Sequence, residues 1–293
     1  MSGNDTTVID SPDPQRGRKA RWGPLPLFAG VALVLAGAGM FVVAGSYDTP
    51  QTAKMLGKPA NAPVNQGATN PADITAHNSP SLVRNPRDEG NLAVADRIDT
   101  PRFSCAFHVS ADGGSTWQQK TVPAPKGERL CYAPDVAFGA DGKLYLSFVT
   151  LRGRANAPNA AWLVTSTDKG STFSKPIKVL RQKLPFQVRL AADPKKPNRL
   201  YVTWLQASEV GLFRFPEPGN PINAMRSDDG GETWEWAGSL YYQPHSIRHI
   251  PGYFCGCPDL AVAADGTLVA ILHSYEDDDG EMCLQVLRLR EVS

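Results

Sequence analysis

What this sequence of 293 residues lacks narrows the field first. It has almost no net charge, because 30 Lys plus Arg stand against 29 Asp plus Glu, a balance of +1. So even a balance leaves no electrostatic footprint for nucleic acid or an acidic polymer, and no nucleic-acid partner is expected. The chain has no phosphate-cradling glycine loop, no Gly-x-Ser-x-Gly elbow and no dinucleotide fingerprint. No cofactor is expected. Past residue 45 the apolar residues come in short runs, among the chain's 25 Pro and 26 Gly. That pattern suits an all-β protein rich in turns.

The N-terminal part stands outside the fold. Residues 1–21 form a polar tail ending in a basic cluster, Arg16, Arg18, Lys19 and Arg21. Residues 22–45, from Trp22 to Gly45, carry no charge. A helix of that length rises about 36 Å, enough for a bilayer core of roughly 30 Å. Pro24 and Pro26 fall in its first turn, where proline is tolerated. Basic residues ahead of the span place the N-terminus in the cytoplasm and everything after Ser46 outside. A cleaved signal peptide is the competing reading, with Val43 and Gly45 as small residues before a cut. The run is longer than a usual signal core, which favours a retained single-pass anchor in the cell membrane. Residues 46–76, rich in Pro, Ala, Asn and Gln, read as an extended linker. The folded domain is expected over 77–293.

That domain repeats itself. Ser110-Ala111-Asp112-Gly113-Gly114-Ser115-Thr116-Trp117, Ser166-Thr167-Asp168-Lys169-Gly170-Ser171-Thr172-Phe173 and Ser227-Asp228-Asp229-Gly230-Gly231-Glu232-Thr233-Trp234 all read S-x-D-x-G-x-T-[W/F]. Each aspartate can accept hydrogen bonds from its own turn. The glycine two places on admits positive φ, and the aromatic folds back as a plug. The pattern resembles the Asp-box, or BNR repeat, of the sialidase-like β-propellers. The resemblance implies that architecture, with Asp112, Gly114, Trp117, Asp168, Gly170, Phe173, Asp229, Gly231 and Trp234 in structural roles. It is specific for the fold and not for an activity.

A second repeat sets the blade count. Pro80-Ser81-Leu82-Val83, Pro134-Asp135-Val136-Ala137, Val188-Arg189-Leu190-Ala191 and Pro258-Asp259-Leu260-Ala261 each open a unit, 54, 54 and 70 residues apart. Turns such as Ala140-Asp141-Gly142-Lys143 and Ala264-Asp265-Gly266-Thr267 lead into the second strands. Four strands per unit of this length make a propeller blade. The last unit has no aspartate turn before the chain reaches Ser293. The expected fold is therefore an all-β propeller of about four four-stranded blades, the last incomplete, behind one transmembrane helix.

The first strand of each blade lines the channel of a propeller. The second positions of the four opening motifs, Ser81, Asp135, Arg189 and Asp259, would then converge there. Asp135, Arg189 and Asp259 make a polar pocket for a hydroxyl-rich ligand, or else ion pairs that merely close the ring.

The sialidase resemblance implies three arginines that clamp a substrate carboxylate, a tyrosine nucleophile assisted by a glutamate, and an aspartate as acid/base. Where the first clamp arginine would stand, this chain has Asn78-Ser79-Pro80. The strand Leu92-Ala93-Val94-Ala95-Asp96-Arg97 matches the family's next arginine at Arg97, with Ala95 in place of a glutamate. Asp99 falls in the region of the acid. Tyr275 and Glu276 are adjacent, but their spacing marks no nucleophile. Arg97 and Asp99 are thus the candidate catalytic pair.

His245, His249, Cys255 and Cys257 form the one metal-like grouping. Cys-Gly-Cys is not usual zinc spacing, and extracytoplasmic thiols tend to oxidise, so no metal is expected. The acidic run 277–281 reads as a solvated hairpin turn, and 213–219 as an aromatic platform or an ordinary packed loop. Cys105 and Cys131 could bridge blade one to blade two, while the connectivity of Cys255, Cys257 and Cys283 stays open. The resulting reading is a membrane-anchored, extracytoplasmic sialidase-like propeller that binds a glycan or protein ligand without hydrolysis. The alternative is an exo-α-sialidase using Arg97 and Asp99.

Overall fold

The computed structural model describes residue 64 and residues 77–99, 102–128, 130–153, 156–182, 184–207, 221–241, 256–275 and 282–290. The expected tail, the expected anchor at 22–45 and all of the expected linker but Val64 lie outside them. So do His245, His249, Cys255, the segment 213–219, the acidic run, Glu276, and the side chains of Cys257, Tyr275 and Cys283. No helix among the described residues is long and apolar enough to cross a membrane.

Four antiparallel sheets make a four-blade propeller. Blade 1 holds β1 (His77–Asn85), β2 (Asp88–Ile98), β3 (Ser104–Ser110) and β4 (Gln118–Gln119). Blade 2 holds β5 (Cys131–Phe138), β6 (Leu144–Arg152), β7 (Ala157–Ser166) and β8 (Ile177–Leu180). Blade 3 holds β9 (Pro185–Ala192), β10 (Leu200–Gln206), β11 (Ile222–Ser227) and β12 (Glu235–Tyr241). Blade 4 has three strands, β13 (Gly256–Val262), β14 (Leu268–Tyr275) and β15 (Met282–Leu289). Each of the four expected opening motifs lies on the first strand of a blade. These inner strands pack in sequence, β1 on β5, β5 on β9 and β9 on β13.

The strands β6 and β10 are buried along nearly their whole length because blades 2 and 3 are covered on both faces. Ala93, Ala95, Phe107 and Val109 of blade 1 pack on Val136, Phe138, Leu144, Leu146, Phe148 and Val164 of blade 2. The other face of blade 2, with Tyr145, Val149 and Leu163, packs on Val188, Leu190, Leu200, Val202 and Trp204 of blade 3. Each fully buried large side chain contributes about 2 kcal/mol. A disulfide joins Cys105 on β3 to Cys131 on β5, Cα to Cα 5.5 Å, as the sequence suggested. Closing that loop across two blades removes unfolded-state entropy on the order of 3 kcal/mol.

The three aspartate turns share one bond set. The serine hydroxyl donates to aspartate Oδ1 at 2.7, 2.7 and 2.8 Å and accepts the N–H of Gly114, Gly170 and Gly231. The Thr116, Thr172 and Thr233 N–H groups donate to the same Oδ1, and their hydroxyls donate to Oδ2. Hydrogen bonds from Thr116 and Ser110 hold Asp112 at a pKa of about 2, and those from Thr172 and Ser166 do the same for Asp168. For Asp229 burial pushes upward, yet Thr233 and Ser227 still bring it to about 2. The Trp117 and Trp234 indoles donate back to the Gly114 and Gly231 carbonyls at 3.0 Å. Phe173 has no such donor and instead meets Phe107 of blade 1 edge-on at 5.0 Å.

Although each turn is bonded to itself, two of them also lean on a neighbour: a Cβ on Gly170 would lie 2.5 Å from Val109 of blade 1, and one on Gly231 would lie 2.1 Å from Leu163 of blade 2. The glycines therefore serve both a positive φ and a close approach to the preceding blade.

Candidate functional site

Every inner strand carries an irregularity at one level. Register shifts fall between Asn78 and Ser81, between Tyr132 and Asp135, and between Gly256 and Asp259, and the pairing of β9 with β10 shifts at Thr203/Leu205. In three blades the shift carries a non-glycine residue at positive φ: Ser79 at 50°, Ala133 at 46° and Gln187 at 50°. These positions stand 54 residues apart, the spacing of the opening motifs. A bulge re-aims the residues that follow it. Here it brings the second-position residues into one register, Ser81 opposite Ala95, Asp135 opposite Ser147, Arg189 opposite Thr203 and Asp259 opposite Ile271.

The consequence is a shared hub. Ser81, Asp135, Arg189 and Asp259 line one cavity of about 540 Å³ between the four inner strands. Within it Asp135 is bonded on every side. Its Oδ1 accepts the Ser81 hydroxyl at 2.6 Å and the Val136 N–H at 3.0 Å, and its Oδ2 accepts the Leu190 N–H at 2.9 Å. One carboxylate thus ties blades 1, 2 and 3. Burial pushes its pKa up, and the bonds from Ser81 and Leu190, with the Arg189 charge, offset this only in part. Asp259 at the equivalent place is exposed. Among the described residues, its bond is to the Leu260 N–H of its own strand, at 2.9 Å. Asp135 thus ties the hub, and Arg189 and Asp259 line the same cavity.

Directly before the β1 bulge lies a second polar group. Here the start of β1 pairs with the end of β2, opposite the end where Gly113 of the aspartate turn bonds Gly90. Arg97 Nε stands 2.6 Å from Asp99 Oδ1, its Nη2 donates to Oδ2 at 3.1 Å, and Asn78 donates to the same Oδ2 at 2.6 Å. The guanidinium also lies over the Tyr132 ring, 4.8 Å from its centroid, and Phe103 meets that ring edge-on. Beside this pair, His77 Nδ1 is 2.6 Å from Asp96 Oδ1, and the buried His108 holds Nε2 3.5 Å from Oδ2. Burial pushes Asp96 up, but its contacts with His108 and His77 prevail and hold it below the usual carboxylate range.

The structure therefore brings the candidate pair Arg97 and Asp99 together, but against each other. The Nε–Nη2 edge that would grip a carboxylate in bidentate fashion is occupied by Asp99, and one face of the guanidinium is covered by Tyr132. Sequence reasoning missed Asn78, Tyr132, His77, Asp96 and His108 as members of this group. They meet through strand register and not through spacing. The bulge residues left a trace only in the 54-residue period, since none of them is glycine.

No family model matches the chain, and no curated protein matches it. Its fold is similar to that of several solved proteins. An α-L-arabinanase of Penicillium chrysogenum, solved with arabinobiose, superposes with a TM-score of 0.51 at 16% identity, over 69% of this chain and 59% of its own. A sialidase of Trypanosoma rangeli, solved with sialic acid, gives 0.50 at 15% identity, over 73% of this chain and 36% of its own. A Dyadobacter fermentans protein of unknown function gives 0.50 at 15% identity, over 72% of this chain and 60% of its own. The chain thus spans less than two thirds of each of these three. At such identities the likeness concerns the fold, a sialidase-like β-propeller.

Proposed function

We propose that this chain is a non-hydrolytic propeller that binds a neutral, hydroxyl-rich ligand of the glycan class at its hub. The observation that carries the reading is the polar cavity of about 540 Å³ on which Ser81, Asp135, Arg189 and Asp259 converge. One carboxylate beside one guanidinium, Asp259 and Arg189, suits hydroxyl groups, which both donate and accept, better than an anionic sugar. The arabinobiose bound to the arabinanase of similar fold is a ligand of this neutral kind. The left-handed backbone two residues before Ser81, Asp135 and Arg189 is the sort of strain that collects at binding sites. As part of the same reading, the three aspartate turns are Asp-box repeats, and residues 22–45 are a retained anchor that presents the domain outside the cell.

Calorimetric titration of the full chain in mild detergent with arabino-oligosaccharides and with sialyllactose tests this reading. Binding of the neutral series, weakened at least tenfold in Arg189→Ala and Asp259→Ala, is expected. No heat from either sugar in the wild type would overturn the reading.

The sialidase reading rests on the Arg97–Asp99 contact and on the likeness to the trypanosomal enzyme. Asp99 already fills the edge of Arg97 that a substrate carboxylate would need, so no turnover of a fluorogenic sialoside is expected. Turnover that disappears in Arg97→Ala and Asp99→Asn would establish the hydrolase instead.

A further inference from the structure

Blade 4 breaks a rule that the other blades obey. Across each blade the second-position residue, its partner on the next strand and that residue's partner form one row. In blade 2 the row runs Asp135, Ser147, Leu163, and in blade 3 it runs Arg189, Thr203, Ala224. Ser147, Leu163, Thr203 and Ala224 are all at most 1% exposed. In blade 4 the row is Asp259, Ile271, Val286, where Ile271 is 39% and Val286 58% exposed. These are two of the four large apolar side chains exposed among the described residues. The next row on that face, Ala261, Val269 and Arg288, also leaves Ala261 and Arg288 exposed, while Leu268 and Ala270 on the opposite face are buried.

The face thus has an apolar middle, with Asp259 at one corner and Arg288 at the corner diagonally opposite. That pattern is self-complementary. A twofold axis lying in the plane of contact along the other diagonal sets Asp259 against Arg288 of a second copy, twice over, and brings the apolar side chains together. It also offers Asp259 a donor, as the bonds from Ser81 and Leu190 do for Asp135. We propose that two copies of this chain join face to face through blade 4, with Ile271 and Val286 between reciprocal Asp259–Arg288 pairs. Because Asp259 also lines the hub cavity, the second copy would wall its open side.

The test is the mass of the full-length chain in mild detergent, measured by light scattering across a concentration series. The wild type is expected to be a dimer at micromolar concentration. Ile271→Asp and Asp259→Arg should each raise the dissociation constant at least tenfold, and the double reversal Asp259→Arg with Arg288→Asp should restore it. All three sites are exposed, so folding is retained, and circular dichroism of each variant checks this. A wild type that stays monomeric at every concentration overturns the proposal. So does a double reversal no better than the single one, which would point to another partner or to no pairing at this face.

Discussion

Asp168 and Asp135 are the same residue type in the same blade, and both use both carboxylate oxygens. At the turn, Asp168 is exposed and takes its bonds from residues within four positions of itself, which holds its pKa at about 2. At the hub, Asp135 is buried and draws donors from residues 54 and 55 positions away, and its pKa rises. The first carboxylate organises a local loop in water. The second replaces water between blades. Between these two, the burial of Asp135 outweighs its hydrogen bonds, whereas at exposed Asp168 the hydrogen bonds prevail.

The largest expected effect comes from breaking the hub. Asp135→Ala leaves the Leu190 and Val136 N–H groups buried without acceptors, at about 4 kcal/mol of stability. Urea unfolding should show it as a lower midpoint. A change under about 1 kcal/mol would mean that the hub is not where the blades are joined.

Next comes Gly231→Ala, expected to cost about 3 kcal/mol, part from positive φ and part from the collision with Leu163. Gly114→Ala sharpens the comparison. A Cβ there meets only Leu92 at 3.4 Å and Trp117 at 3.6 Å, both within its own blade. It should cost about 1–2 kcal/mol, the backbone part alone. Equal losses would show that the turns do not lean on the preceding blade.

Trp234→Phe removes the indole N–H donated to Gly231, at about 1 kcal/mol. Because Phe173 already occupies the equivalent place in blade 2, this variant should fold normally. Its thermal midpoint would report the loss.

The smallest effect is in pH dependence, and its two halves oppose each other. The turn aspartates lie at about 2 against an ordinary 3.8, so their stabilising contribution is complete above 3.8 and is lost as pH falls through about 2. Asp135 is shifted upward, so its contribution is present at low pH and is lost as pH rises through its folded value. Thermal midpoints from pH 5 to 2 should fall in the wild type. They should fall less in Asp168→Asn and more steeply in Asp135→Asn, and the same slope in all three would refute the assignment.

Much of the blade architecture was legible because its signals are local. The aspartate turns, the Asp141 and Asp265 turns and the four opening strands all arise from residues that interact within a few positions. The 54-residue period located the opening strands but not the bulges before them, since nothing in Ser79, Ala133 or Gln187 names a left-handed residue. The polar group around Arg97 was only half legible. Arg97 and Asp99 lie two residues apart, whereas Asn78, Tyr132 and His108 reach the same place on three different strands.

By itself the sequence determined a repeated, self-bonded hairpin, its number of copies and the inner strand of each blade, since these depend on alternation, turn chemistry and short reach. Only the tertiary structure decided that Asp135 is a buried tie among three blades while Asp259, at the matching register, is exposed. The difference lies in whether another blade stands beside the carboxylate and takes its water away, which no stretch of sequence around either aspartate encodes.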